Sequence, residues 1–374
     1  MLTVLYIATD AMLSGSSASL MNLIKSLKGD IVPIVLSPDD GVMVRELDRI
    51  GVRTIVHPFY RFGGKKKKLI TALHHPTRTQ LYHYLTDDRR CARYVRRQLC
   101  NVKIDIVHSN STCTQVGISL AKSLKAKHVW HIREFLPALT SNIYGGVNRL
   151  KNQIRSADAA IFISNELKLQ WNIQCQHPYV IMDAVRGEKD IVYRTDKQKY
   201  FLFCAANIYK LKRPDIAIVA FAESTVWKQG YRLTMLGGIE HEYKQYLLGL
   251  ASSLHCADYI DWDDYTDNTK SYFENASAFL MCSDFEGLGR VTVEAMFYGC
   301  PVIGRNIGGT KDLIHDGYNG YLFNTNHECA QLINKVISVD NSELITHAHA
   351  FVKQELTEEV YGQKIMKVYH SIIG

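Results

Sequence analysis

Between Met281 and Gly309 the chain reads MCSDFEGLGRVTVEAMFYGCPVIGRNIGG. The apolar run Ala278–Cys282 leads into it and is long enough for a buried strand. A polar, glycine-rich turn follows over Ser283–Gly289. Val291, Val293, Ala295, Met296 and Phe297 then make a largely apolar helix over Arg290–Tyr298, which Gly299 stops. Cys300–Ile303 is a second buried strand, and Gly308-Gly309 opens the next turn. Strand, loop, helix and strand in this order form the unit from which parallel sheets are built, because the crossover helix returns the chain to run the same way. The expected fold class is therefore α/β.

Two carboxylates sit where such a unit can use them. Glu286 lies in the glycine loop at the helix entrance, and Glu294 one turn into the helix, with seven residues between. A glycine-flanked loop at a helix N-terminus presents free N–H groups and the positive end of the helix dipole to an anion. A carboxylate deeper in the helix repels phosphate but accepts two hydrogen bonds from vicinal hydroxyls, as a ribose offers them. A ligand with hydroxyls at both ends and phosphate between them, a nucleotide sugar, suits this spacing. The plain alternative is a solvated loop glutamate and an exposed helical one.

The string EGLGRVTVEAMFYGCPVIGRNIGGTKDLIHDGYNGYLF, Glu286 to Phe323, resembles the retaining glycosyltransferases of family four, the group 1 type found in bacterial surface-polysaccharide synthesis. These carry an E-x7-E motif here and have the GT-B fold. The resemblance implies two facing Rossmann-like domains with parallel sheets and an interdomain cleft, the donor held mainly by the second domain and the acceptor by the first. The implied reaction moves a sugar from a nucleotide-sugar donor to a hydroxyl, with retention at the anomeric carbon. In it Glu286 holds the sugar hydroxyls, Glu294 the ribose, and the loop Gly287-Leu288-Gly289 the diphosphate. Upstream, relatives usually have Gly-Arg, four residues and Lys-Gly, whose two cations hold the diphosphate. Lys212 matches the lysine, while Asn207 stands at the arginine position, so Lys210 or Arg213 is left to compensate. Relatives also have Glu where this chain has Asp312. The string HVWHIREF resembles the segment whose histidine, here His131, lies by the donor sugar. A strand-end histidine is otherwise most often a satisfied structural residue. Gly15, in the loop after the first strand, is implied to face the cleft, with a plain helix-start glycine as the alternative. Asp261 and Trp262 are implied to border the nucleobase, with a buried tryptophan as the alternative.

A chain of 374 residues suits two domains. Leu2–Ala8 reads as a first buried strand, not a signal peptide, since it lacks a basic n-region and a cleavage site. A small-residue loop and a helix over Leu20–Leu27 open a Rossmann-like unit without the G-x-G-x-x-G fingerprint. Ile31–Leu36, Thr54–His57, Asp105–His108, Lys127–Ile132, Ala157–Ser164 and His177–Met182 follow as strands of the first half. Asp183–Glu188 stands where relatives carry the linker. The expected domains are 1-185, acceptor-binding, and 186-355, nucleotide-sugar-binding. In relatives the final helix, 356-374, crosses back to the first domain. The second half opens with strands at Tyr200–Ala205 and Arg232–Leu236, with Pro214 starting a helix in its first turn.

Charge is divided unevenly. Up to Val185, 25 Lys+Arg oppose 13 Asp+Glu, or +12; the remaining 19 against 24 give −5, for a total of +7. Between Arg61 and Lys103, 12 bases face 2 acids. RFGGKKKK begins this segment. A helix bearing Arg89, Arg90, Arg93, Arg96 and Arg97 ends it, with Val95 and Leu99 on the far side. Either this is a solvated basic face or it meets anionic lipid headgroups, where each base adds about 1 kcal/mol. No nucleic-acid partner is expected, for no helix-turn-helix, finger or RNA-binding pattern accompanies the charge. The expected partners are a nucleotide sugar, a glycan or lipid-linked acceptor, and an anionic membrane surface. Nine scattered cysteines without a C-x-x-C pair point to reduced thiols in a cytoplasmic protein, peripheral on the inner face of the membrane. No cofactor and no metal are expected. Asp261-Trp262-Asp263 matches D-x-D formally, at a place that corresponds to no metal site in the resembling family. Three alternatives stand beside the transferase: a sugar-nucleotide epimerase of the same fold, a phosphorylase, for which no pyridoxal-phosphate lysine motif is found, and a non-catalytic membrane- or nucleic-acid-binding protein.

Overall fold

The structure is a computed structural model that describes residues 1–13, 15–61, 76–135, 146–194 and 196–374. The chain divides into two units: Met1–Ala184 joined by Glu358–Gly374, and Val185–Thr357.

The first unit is built on seven strands: β1 Leu2–Ile7, β2 Ile31–Ser37, β3 Arg53–Val56, β4 Ile106–Ser109, β5 Lys127–Ile132, β6 Ala159–Phe162 and β7 Pro178–Val180. They run parallel in the order β3-β2-β1-β4-β5-β6-β7. Their near-continuous apolar character follows from burial on both faces. One face packs Val4, Tyr6, Val35, Ile106 and Val129 under the helix Ser16–Ser26 and the C-terminal helix Glu358–Ile373. The other packs Leu5, Ile7, Ile34 and Val107 under the helices Pro76–Gln98 and Val116–Leu124. On Pro76–Gln98, Cys91 and Val95, with Leu99 just past its end, face that core, while Arg89, Arg90, Arg93, Arg96 and Arg97 are exposed, as the helical periodicity requires. Lys65–Lys68 lie outside the described residues.

The C-terminal helix brings Tyr361, Ile365, Val368, Tyr369 and Ile372 into the first core. Its two tyrosines also close a polar network beneath the strand ends. Arg133 is buried and ion-pairs with Asp183, and its Nε donates to the Asn110 carbonyl at 2.9 Å. Tyr361 donates to Asp183 Oδ1 at 3.1 Å. His131 Nδ1 stands 3.2 Å from His108 Nε2, and His108 Nδ1 2.7 Å from the Tyr369 hydroxyl, which reaches Tyr6 at 3.0 Å. Burying one charge of such a pair without the other costs several kcal/mol, so each member holds the others in place.

The second unit has six parallel strands: β8 Tyr200–Ile208, β9 Arg232–Ile239, β10 Ile260–Asp263, β11 Ala278–Met281, β12 Val302–Arg305 and β13 Tyr321–Phe323. Their order is β10-β9-β8-β11-β12-β13. Phe201, Phe203, Leu233, Met235, Leu280 and Ile303 pack with Ile216, Ala220 and Phe221 of the helix Pro214–Ser224 and with Ile333 of the helix Asn326–Ser338. Pro214 begins its helix where its missing N–H is not needed.

Burial sets a pH dependence. The His128 imidazole is held at about 4, and those of His108 and His131 well below the usual 6.5; burial is the main cause in all three, with the Arg133 charge second for the latter two. The unfolded chain therefore takes up more protons than the folded one once the pH drops below about 6.5. The stability these neutral rings support is present above that pH and is lost on acidification. Urea-unfolding midpoints are expected to fall between about pH 7 and pH 5, by up to about 1.4 kcal/mol per pH unit for each ring. A midpoint unchanged over that range would contradict their burial as neutral rings.

Candidate functional site

In an open parallel sheet, ligands bind at the carboxyl ends of the strands, where connections leave two neighbouring strands in opposite directions. In the second unit that place is between β8 and β11. Two loops flank it: Tyr209–Arg213 after β8, and Ser283–Gly289 after β11. Lys212 from the first and Glu286 from the second meet here, with Nζ 2.5 Å from Oε1. The lysine side chain is 24% and the carboxylate 14% exposed, so the pair is largely enclosed yet reachable.

The loops hold their shape through backbone contacts that only glycine permits. Gly309 donates its N–H to the Glu286 carbonyl at 2.8 Å, and a Cβ on Gly309 would come within 2.3 Å of the Gly287 carbonyl oxygen. Gly308, at φ 58°, leaves only 2.9 Å between such a Cβ and the Glu286 oxygen. The double glycine thus lets one turn lie flat against the loop that carries Glu286. Gly289, at φ 90°, caps the helix Arg290–Phe297, which follows directly on the loop that carries Glu286.

Glu294, one turn into that helix, has a partner on each oxygen. Arg186 Nη2 donates to Oε1 at 3.0 Å and Thr269 Oγ1 to Oε2 at 3.2 Å. Each carboxylate oxygen accepts two bonds, so capacity remains for further hydroxyls. Arg186 lies 108 positions away in sequence, and nothing local announces the pairing.

Other expected residues stand differently. Arg213, in the left-handed conformation at φ 53°, is committed to Asp215 through three contacts of 2.8 to 3.2 Å and to Asp284 at 3.1 Å. Its guanidinium pKa is raised, first by the Asp215 hydrogen bonds. Asp284 also pairs with Arg305. Arg213 therefore braces the two loops. Lys210 is exposed in the same turn. Asn207, next to last in β8, pairs with Gly238, past a bulge near which Gly237 comes too close to the Ala205 carbonyl for any side chain.

Asp261 and Trp262, neighbours on the edge strand β10, both line one groove of the second unit. Asp261 is taken by Arg232 through two bonds of 2.6 Å, in a groove of about 610 Å³ near the start of β9. Trp262 packs on the core of the second unit, with Lys244 Nζ 5.3 Å from its ring. His131, expected beside a donor sugar, is wholly buried (0% exposed) within the first unit. It shares a strand face with Val129, and that face is covered by the C-terminal helix from some 230 residues on. Gly15 caps the helix Ser16–Ser26 in the first unit at φ 49°, ψ −116°, a conformation that favours glycine.

Residues 185–355 match the family model described as glycosyl transferases group 1. The second unit belongs to that family. The whole chain has the GT-B fold: it superposes on Anabaena HepE, solved in complex with UDP, with a TM-score of 0.80 at 18% identity, covering 99% of this chain and 100% of that one. An uncharacterized glycosyltransferase of Methanocaldococcus jannaschii is 23% identical over 337 residues, 88% of this chain and 92% of the relative. A Campylobacter jejuni alpha-1,4-N-acetyl-D-galactosaminyltransferase acting on a PP-undecaprenol-linked glycan is 23% identical over 294 residues, 76% of this chain and 78% of the relative. The matched residues of the group 1 domain include Arg186, Lys212, both glutamates and the glycine turn.

The contact of Gly309 with Gly287 makes a direct test. Gly309→Ala must push the Glu286 loop outward, while the sheet beneath is untouched. The unfolding midpoint in urea is expected to fall, by about 1–3 kcal/mol of stability, as an overpacked contact costs. An unchanged midpoint would mean that the turn does not press on the loop.

Proposed function

We propose that this group 1 glycosyltransferase transfers a hexose from a UDP-sugar to a hydroxyl, with retention, in the assembly of a lipid-linked or surface glycan. The Lys212–Glu286 pair at the switch point of the second sheet is the observation that carries the reading. A lysine and a row of loop amides offer positive charge where a diphosphate would leave, and a carboxylate alongside them accepts from sugar hydroxyls. Glu294, 14% exposed, serves the ribose. Lys212 has three N–H donors, so it can keep Glu286 while meeting a phosphate oxygen.

In the step itself, the bond from the anomeric carbon to the diphosphate oxygen breaks with both electrons going to the phosphate. The acceptor oxygen bonds to that carbon on the same face, and its proton passes to the released diphosphate. Glu286 and Glu294 serve opposite ends of the donor, so neither acts as the nucleophile of a two-carboxylate mechanism, which needs groups about 5 Å apart across one bond. Charge on the leaving group is met by Lys212 and the loop, so activity is expected to survive EDTA.

Lys212→Ala is expected to lower turnover by roughly 10²-fold, as loss of an oxyanion-type donor does elsewhere, with a smaller effect on stability. Release of UDP from a panel of UDP-sugars is the assay, and turnover by the variant at the wild-type rate would remove Lys212 from the step. Glu294→Ala should weaken UDP binding by about 1.5–3 kcal/mol, the worth of a charge-assisted hydrogen bond to a hydroxyl, which calorimetry reads directly.

The lipid-linked acceptor is supported by the exposed arginines 89, 90, 93, 96 and 97 of the first unit and by the undecaprenol-linked substrate named for the Campylobacter relative. No helix among the described residues is long and apolar enough to cross a membrane, so attachment would be peripheral, on the inner face. Such attachment is screened over about 8 Å at physiological salt. Binding to anionic vesicles should fall steeply as salt rises, neutral vesicles should bind poorly, and glutamine at Arg93, Arg96 and Arg97 should weaken binding without altering UDP affinity. Protein left in the supernatant with anionic vesicles at low salt would reduce the arginines to a solvated face.

A further inference from the structure

Arg186 occupies a peculiar place. It is the second residue of the second unit, immediately past the point where the chain leaves the first. Its backbone is tied on both sides. It forms a parallel bridge with Thr357, the last residue of the unit, and the next residue, Gly187, donates its N–H to Asp190 at 3.2 Å. Both chain crossings, 184/185 and 357/358, therefore lie next to each other at Arg186.

Its side chain runs from there to Glu294, with Nη2 3.0 Å from Oε1, while Thr269 takes the other oxygen. Tyr298, one turn further along the helix of Glu294, lies close enough that the Arg186 charge acts on its phenol, opposing the upward push of burial. Arg186 is 35% and Glu294 14% exposed, so the carboxylate is the more enclosed member of the pair. A glutamate with three rotatable bonds loses considerable rotamer freedom when it is fixed for two hydroxyls. Thr269 and Arg186 hold one oxygen each before any ligand arrives.

We propose that Arg186 is a positioning residue for nucleotide recognition: it fixes Glu294 in the orientation that reads the vicinal hydroxyls of the ribose. The inference depends on the ribose role proposed for Glu294. Arg186 does not itself touch the nucleotide; it sets how well the enzyme distinguishes a ribose from a sugar without hydroxyls.

The experiment compares UDP with its 2′,3′-dideoxy analogue by calorimetry, using the full chain as wild type, Arg186→Ala, Arg186→Gln and Arg186→Lys. The wild type should prefer UDP by about tenfold or more, the worth of hydrogen bonds to a charged acceptor. In Arg186→Ala and Arg186→Gln that preference should shrink to less than about threefold, because UDP binding weakens while analogue binding barely changes. Arg186→Lys, which keeps the charge and one donor, should recover part of it. The glutamine variant serves if alanine proves unstable. For donor turnover, KM should rise with kcat nearly constant. Equal loss of affinity for both ligands would overturn the inference and make Arg186 a general attractor of the diphosphate. A full preference in all three variants would overturn it as well. If the wild type itself shows no preference, the ribose role of Glu294 fails, and the role of Arg186 with it.

Discussion

The second unit is governed by the divergence of β8 and β11. These neighbouring parallel strands send their connections to opposite sides, and the gap at their carboxyl ends cannot be filled by either connection. Everything with chemical potential in the unit gathers around that gap. The loop after β8 contributes a lysine, the loop after β11 a glutamate and helix amides, and the helix beyond it a second glutamate. The glycines at 289, 308 and 309 follow from the same constraint, since the loops there leave no room or no ordinary dihedral for a side chain.

Carboxylates in the unit come with cations. Glu286 has Lys212, Glu294 has Arg186, and Asp284 has Arg213 and Arg305. Partly enclosed carboxylates need such counter-charges, which offset the cost of their burial and hold them in one rotamer. The two kinds of pair differ in what they leave available. Arg213 and Asp284 satisfy each other and lock two loops, whereas Lys212, Glu286 and Glu294 retain unfilled hydrogen-bonding capacity facing the crevice.

Much of this was readable from the sequence, and the limits have physical reasons. The unit from Ala278 to Gly309 was legible because its strands are continuous apolar runs and glycines mark its turns. Lys127–Ile132 and Glu358–Ile373 were legible for the same kind of local reason, a pattern matching its period. The helices at Val116–Leu124, Gly146–Arg155, Asn326–Ser338 and Ser342–Glu355 add to the elements expected from sequence, and the last two have ordinary helical patterns. Partners across long separations could not be read at all. Arg186 looked like linker, Arg213 like a phosphate ligand, and His131 like a cleft residue. For Arg186 and His131 the deciding group, Glu294 or the C-terminal helix, lies between 108 and about 230 residues away, whereas Arg213 has Asp215 two residues on as well as Asp284 71 away. The sequence motif names the type of chemistry; only the folded chain shows which cations are already spent.

The return of residues 358–374 to the first unit has a consequence for how the chain is made. The second unit is continuous, and once Thr357 has left the ribosome it has every residue it needs. The first unit is translated earlier but must wait, because Tyr361 and Tyr369 reach it last. Until then the buried faces of His108, His131 and Arg133 have no cover, and the sheet holds a polar seam open to water. Vectorial synthesis would thus finish the later-made unit first and leave the earlier one incomplete, the reverse of the usual N-terminal-first order of domain folding.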